Sequence, residues 1–88
     1  MMDNPLEQTV FADLAHIEKT LTDDLSGERT RAMLSYFDQV AQSTEAHLQT
    51  PLADAERQLS SQLIEGFRAS QRIVRHVWET IHTASLPA

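Results

Sequence analysis

Apolar residues recur along the chain at intervals of three and four, the spacing of one face of an α-helix, and no stretch alternates with the period of two that a strand requires. In the first third, Leu6, Val10, Leu14, Ile17, Leu21 and Leu25 follow at four, four, three, four and four. Asn4, Pro5 and Glu7 ahead of that stripe supply a capping side chain, a proline suited to the first turn and an acid three residues after the cap. The pattern predicts an N-terminal helix over about residues 5–25, ended by Ser26-Gly27.

A second stripe, Met33, Leu34, Phe37, Val40, Ala41, Thr44 and Leu48, predicts a helix over about 28–48, with Tyr36 on its flank. Pro51 disfavours helical geometry at Thr50 and suits the start of a new helix, so a boundary is expected there. From Pro51 no further proline occurs before residue 87, and Leu52, Leu59, Leu63, Phe67, Val74, Val77 and Ile81 form a third stripe, widened by Ile64, Ile73 and Trp78. This predicts a helix over about 51–83 with an apolar face wider than a two-in-seven seam, one that needs more than one neighbour. Gly66 interrupts it at a cost of about 1 kcal/mol relative to alanine, which points to tolerance or to close approach of another backbone.

The expected fold is therefore all-α: an antiparallel helical hairpin (about 28–48 and 51–83) with an additional N-terminal helix. The 88 residues suit one small domain, 1–88, with residues 1–4 and 84–88 expected to be mobile. A last helix of about 33 residues outreaches its hairpin partner, so the first helix, a partner or nothing covers the excess.

Composition narrows the function classes. The net charge is -6, which opposes attraction to phosphate backbones and anionic lipid. Residues 1–28 carry seven acids against Lys19, whereas residues 57–88 carry Arg57, Arg68, Arg72 and Arg75 against Glu65 and Glu79. The two ends attract one another, but exposed ion pairs are individually weak, and solvated faces of opposite composition account for the same sorting. The absence of cysteine removes disulfides, thiolate nucleophiles and cysteine-ligated zinc. The acidic start MMDNPLEQ does not read as a signal peptide, and no run approaches the 18 apolar residues of a membrane span, so a cytoplasmic protein without membrane insertion is expected.

Candidate chemistry is sparse. His76 and His82 are six residues apart and point to different sides of a helix, unlike the ligand pair of a helical zinc site, and His16 and His47 are distant in sequence. Ser26-Gly27 has no strand-to-helix elbow, Asp23-Asp24 has no sign of a pocket, and two glycines make no phosphate loop. No catalytic, metal or cofactor site is expected, and the chain reads as a non-enzyme. Arg68, Arg72 and Arg75, at four and three, combine with Trp78 into a possible grip on single-stranded nucleic acid. The acidic whole disfavours that reading, which stands as the alternative of a small nucleic-acid-binding or regulatory module, beside a homo-oligomeric bundle.

The stretch HLQTPLADAERQLSSQLIEGFRASQRIVRHVWETIHTAS, residues 47–85, resembles the small type III secretion co-chaperones of the YscE, EscE and SsaE kind: a proline-marked loop, then a glutamine-rich amphipathic helix with an apolar, aromatic end. The chain departs from them in its longer first segment and in the arginines gathered in its last helix. The resemblance implies a non-catalytic cytoplasmic protein that pairs with a tetratricopeptide-like chaperone and helps keep a needle or translocator subunit soluble. Phe67, Ile73, Val74, Val77, Trp78 and Ile81 are the expected partner-binding residues, since an apolar helix face is the surface that sequesters another such helix. For Phe67 and Val74 a place in the chain's own core competes with that role, while Trp78, a large aromatic near the tail, is expected at the interface.

Overall fold

Residues 5–87 are described in the computed structural model, with side chains from residue 8 onward. Four helices follow in order: α1 (Pro5–Ala15), α2 (Ile17–Asp23), α3 (Glu28–His47) and α4 (Asp54–His82). The all-α hairpin expected from the stripes is present as α3 and α4. Their pairing is antiparallel: Arg57 donates to the Leu48 carbonyl, Arg68 to Asp38, Gln71 to the Leu34 carbonyl and Trp78 to the Asp24 carbonyl, so numbers rise along α4 as they fall along the segment it meets. The capping role expected of Asn4 lies outside the described residues, as do residues 1–4 and 88 of the expected mobile ends.

The predicted 5–25 helix is broken at His16, whose backbone sits at φ -129°, ψ 48°. No proline or glycine marks the place. Its cause is tertiary: the carbonyl of Asp13 is taken by the His16 N–H (3.3 Å) and by the buried Thr20 hydroxyl (3.0 Å). The nearly buried Asp13 carboxylate meanwhile holds the Arg29 guanidinium through two hydrogen bonds. The bend lets α1 lie on α3 and α2 lie on α4, so one apolar stripe covers both arms of the hairpin.

At the hairpin turn, α4 starts at Asp54 rather than Pro51. Ala53 is extended (φ -65°, ψ 153°) and Asp54 and Glu56 stand in the first turn, where negative charge meets the positive end of the helix. Thr50 and Arg57 satisfy the carbonyls left open at the end of α3, His47 and Leu48.

α4 has 29 residues, a rise of about 43 Å, against 20 residues in α3. By the register above, its last turn and a half runs past the start of α3, and the loop 24–27 closes around that overhang. The Asp24 carboxylate accepts the N–H groups of Arg29 (3.2 Å) and Thr30 (2.8 Å), and the Ser26 hydroxyl accepts that of Glu28 (3.2 Å), so the first three amides of α3 are capped. The Asp24 carbonyl accepts the Trp78 indole N–H at 2.8 Å, and His82 Nε2 donates to the Leu21 carbonyl at 2.6 Å. Gly27 turns the loop at φ +78°, where a Cβ would come within 2.5 Å of Leu86 and 3.4 Å of Trp78.

Past α4 the chain reverses at Thr83, in the left-handed region at φ 47°. Leu86, in the segment expected to be a mobile tail, is 5% exposed, with its N–H on Glu79 and its carbonyl on Arg75. The core that results is Val10, Leu21, Met33, Leu34, Phe37, Ala41, Val74, Trp78 and Leu86.

Burial alone would raise the pKa of Asp24, but the hydrogen bonds from Thr30 and Arg29 and the Arg29 charge outweigh it and hold the carboxyl below the usual carboxylate range. A depressed folded-state pKa contributes stability that is full above the unfolded value and is lost as pH falls through the folded one. Asp24→Ala is therefore expected to lower the unfolding free energy at neutral pH by about 1–2 kcal/mol. Urea titrations should show the gap between variant and parent closing as pH drops below about 4.

Candidate functional site

Helix α4 carries two apolar seams, and they have different fates. Phe67, Val74 and Trp78 lie on the side facing α3 and α2, with Val74 6% and Trp78 3% exposed. Phe67 is half-buried, its ring 6.3 Å from Phe37. Ile73, Val77 and Ile81 lie on the adjacent side, 62%, 37% and 43% exposed. The six expected partner-binding residues are thus divided: three are brought into the chain's own packing and three face out.

Trp78 is the sharpest departure from expectation. Its indole N–H is used by the Asp24 carbonyl, its ring lies 4.5 Å from that of His82, and its edge approaches Gly27. A buried indole needs a partner for its N–H, and here the chain supplies one. The clue in the sequence was angular. Positions 67, 74 and 78 cluster about 80–100° around the helix from 73, 77 and 81, which is too wide for one seam.

The outward residues do not stand alone. Ile73, Val77 and Ile81 form one wall of a groove of about 520 Å³ whose other wall is α2, with Ile17, Leu21, Glu18 and Thr22. Ile17 and Leu21 belong to the first stripe, and only the break at His16 turns them toward α4. Toward the hairpin turn, Leu59 and Leu63 continue the exposed side of α4 at 58% and 47%. Leu63 adjoins a depression of about 430 Å³ shared with Tyr36, Val40 and His47 of α3. The groove beside α2 is mainly apolar, whereas the depression beside Leu63 also takes in Gln39, Ser43, Thr44 and Ser60.

The charged residues stabilise the fold more than they make a site. Arg68 bridges to Asp38 (2.5 Å) and Glu45 (3.3 Å) of α3, and the hydrogen bond to Asp38 is the first cause that raises its pKa above the ordinary value. Among the described residues the ion pairs between helices run through α3, with Arg29 on Asp13 of α1 and Arg68 on the acids of α3. The set Arg68, Arg72, Arg75 is not a basic face: Arg68 is held by acids, Arg75 donates to the Leu86 carbonyl, and Arg72 is exposed between them. Among the described residues no group of three metal-ligating side chains assembles, and no helix is long and apolar enough to cross a membrane.

The division of the two seams has opposite energetic consequences. Trp78→Ala is expected to destabilise the fold by about 3–5 kcal/mol, whereas Ile73→Ser should stay within about 0.5 kcal/mol. Chemical denaturation at a concentration low enough to keep the chain monomeric measures both.

Residues 3–80 match the family described as type III secretion system regulatory protein HrpD6. The chain is 33% identical over 76 residues to regulatory protein HrpD6 of Xanthomonas oryzae pv. oryzicola, a stretch that covers 86% of this chain and 95% of that protein. No solved structure matches it significantly. The association with type III secretion implied by residues 47–85 is thereby supported, through a regulatory family and over α1 to α4 rather than through the YscE, EscE and SsaE co-chaperones in particular. A match over nearly the whole helical body makes this chain a member of the HrpD6 family of type III secretion system regulatory proteins.

Proposed function

We propose that the chain is a non-catalytic helical interaction protein of the type III secretion apparatus. In this reading it acts in the cytoplasm as a co-chaperone, pairing with a tetratricopeptide-like chaperone so that a needle or translocator subunit stays soluble. One observation carries the reading: Ile73, Val77 and Ile81 stand exposed in a row on α4, beside an apolar groove walled by Ile17 and Leu21. A helix with apolar anchors three to four residues apart fits such a groove, and the contact removes from water the surface that drives aggregation of a polymerising subunit. Family membership supports the secretion setting, and the regulatory name borne by the Xanthomonas relative fits a role exerted through binding.

The proposal commits to Ile73, Val77 and Ile81 as partner-binding, and it assigns Phe67, Val74 and Trp78 an indirect part, that of holding α4 so that the outer seam is presented. The nucleic-acid alternative loses its support with the engagement of Arg68 and Arg75 inside the chain.

Mixing the purified chain with a purified tetratricopeptide-like chaperone encoded in the same secretion gene cluster tests this. A stoichiometric complex is expected on size exclusion, with stabilisation of about 2.7 kcal/mol when the chaperone is at a hundred times its Kd. Ile73→Glu combined with Val77→Glu should abolish it while leaving the helical spectrum intact. Absence of a complex at concentrations of tens of micromolar, or binding unaffected by the double substitution, counts against the reading.

A further inference from the structure

The outward side of α4 has an order beyond being apolar. Leu59, Leu63, Gly66, Ser70, Ile73 and Val77 follow at intervals of four, three, four, three and four, the alternation of a coiled-coil seam. Read from either end the intervals are the same, with Arg68 at the centre. Side-chain size follows the same symmetry: two large apolar residues, two small ones, two large apolar ones. A helix with such a seam is complementary to a copy of itself running the other way. In that arrangement Leu59 meets Val77 of the second copy, Leu63 meets its Ile73, and Gly66 meets its Ser70.

Gly66 has no role within the chain that explains it. It sits mid-helix, where glycine is disfavoured relative to alanine, and a Cβ placed there would meet nothing within 4 Å. Ser70, one turn on, returns its hydroxyl to the Gly66 carbonyl at 2.9 Å, which satisfies the side chain and keeps the surface low. Two small residues at the midpoint of a seam let a second helix backbone approach closely.

Charge favours the antiparallel direction. From Asp54 to Gly66, the acids Asp54, Glu56 and Glu65 stand against Arg57, whereas from Phe67 to His82 the arginines Arg68, Arg72 and Arg75 stand against Glu79. Antiparallel pairing brings the acidic half of one helix to the basic half of the other; parallel pairing sets like against like. Arg68 is already held by Asp38 and Glu45, and Glu65 and Arg72, though exposed, stand about 120–140° around the helix from the seam, so the contrast acts between the two halves at long range and not as ion pairs across the contact. The large residues of the seam are exposed as the chain stands, and the groove between α2 and α4 lies where the Leu59 of a second copy would arrive.

We propose that the outward face of α4 binds the same face of a second copy, antiparallel and two-fold about Arg68, to form a homodimer crossing at Gly66 and Ser70. Such an interface is isologous, each contact occurring twice. Because it uses the seam assigned above to a chaperone, self-pairing and chaperone binding exclude one another, and the homodimer keeps the apolar row covered until the partner displaces a copy. Self-pairing does not depend on that assignment.

Sedimentation equilibrium of the full chain alone, from micromolar to several hundred micromolar, separates this proposal from the functional one, since no chaperone is present. A reversible monomer–dimer equilibrium is expected. Ile73→Glu should weaken it on the order of a hundredfold with unchanged helicity, because that side chain packs against nothing the monomer needs. Gly66→Leu should raise the melting temperature of the dilute monomer, leucine being the better helix former, while weakening the dimer by on the order of tenfold or more. A glycine tolerated for no reason would not give those opposite signs.

The lack of native cysteine makes the direction readable. Leu63→Cys and Ile73→Cys variants, mixed with a short thiol crosslinker, should join to each other far more than either joins to itself. A chain that remains monomeric throughout, or a dimer insensitive to Ile73→Glu, overturns the proposal. Crosslinking within each variant alone, the mark of parallel pairing, overturns it as well.

Discussion

The Asp24 carboxylate caps two amides at the head of α3 while its own carbonyl holds the Trp78 indole, so a single residue joins the start of one hairpin arm to the end of the other. Three of the four helices meet at this point. α2 delivers Asp24, with Leu21 beside it accepting from His82; α3 starts from it; α4 ends on it; and the returning chain lays Leu86 across Gly27 to close it. A domain of this size has a thin core, and its buried set is split between a hairpin interior and this junction. Geometric demands are correspondingly strict: a positive φ at Gly27, a polar partner for a buried indole, and an ionised carboxylate in partly buried surroundings.

That junction decides which apolar residues of α4 are available to anything else. By turning Trp78, Val74 and Phe67 inward, it aims the neighbouring seam outward along the full length of the helix. The break at His16 has the matching effect on the first stripe, since Ile17 and Leu21 reach α4 only because α2 leaves the direction of α1. Packing and presentation are two sides of one helix rotation. A protein that works by binding needs the inner seam strong enough to hold that rotation while the outer seam stays uncovered.

Much of this was readable from residue spacing. The intervals of three and four named the helical segments, Gly27 marked one boundary, and Pro51 placed the hairpin turn within a few residues of where α4 begins. The break at His16 was not readable, because the hydrogen bonds that impose it come from Thr20 to Asp13 and from Arg29 to the Asp13 carboxylate, and neither leaves a local signature. The same is true of Leu86: four residues past a helix end look like a tail unless one knows that Gly27 leaves a hollow beside Trp78. The candidate site was half readable. The apolar face of α4 was evident, but its division into inner and outer seams depends on where α2 lands, and for that reason Trp78 read as an anchor for a partner when it serves as an anchor for the fold.

Hydrogen exchange of the single indole N–H, followed by NMR on the full chain, tests the junction most directly, since Trp78 is the only tryptophan and its resonance needs no assignment. If Trp78 is bound to the Asp24 carbonyl inside the core, its proton exchanges only when the whole domain unfolds, at the rate set by global stability and in step with the amides of Arg29 and Thr30. An indole proton that exchanges as fast as in a free peptide, while the α3 and α4 amides stay protected, would contradict the account and return Trp78 to the surface.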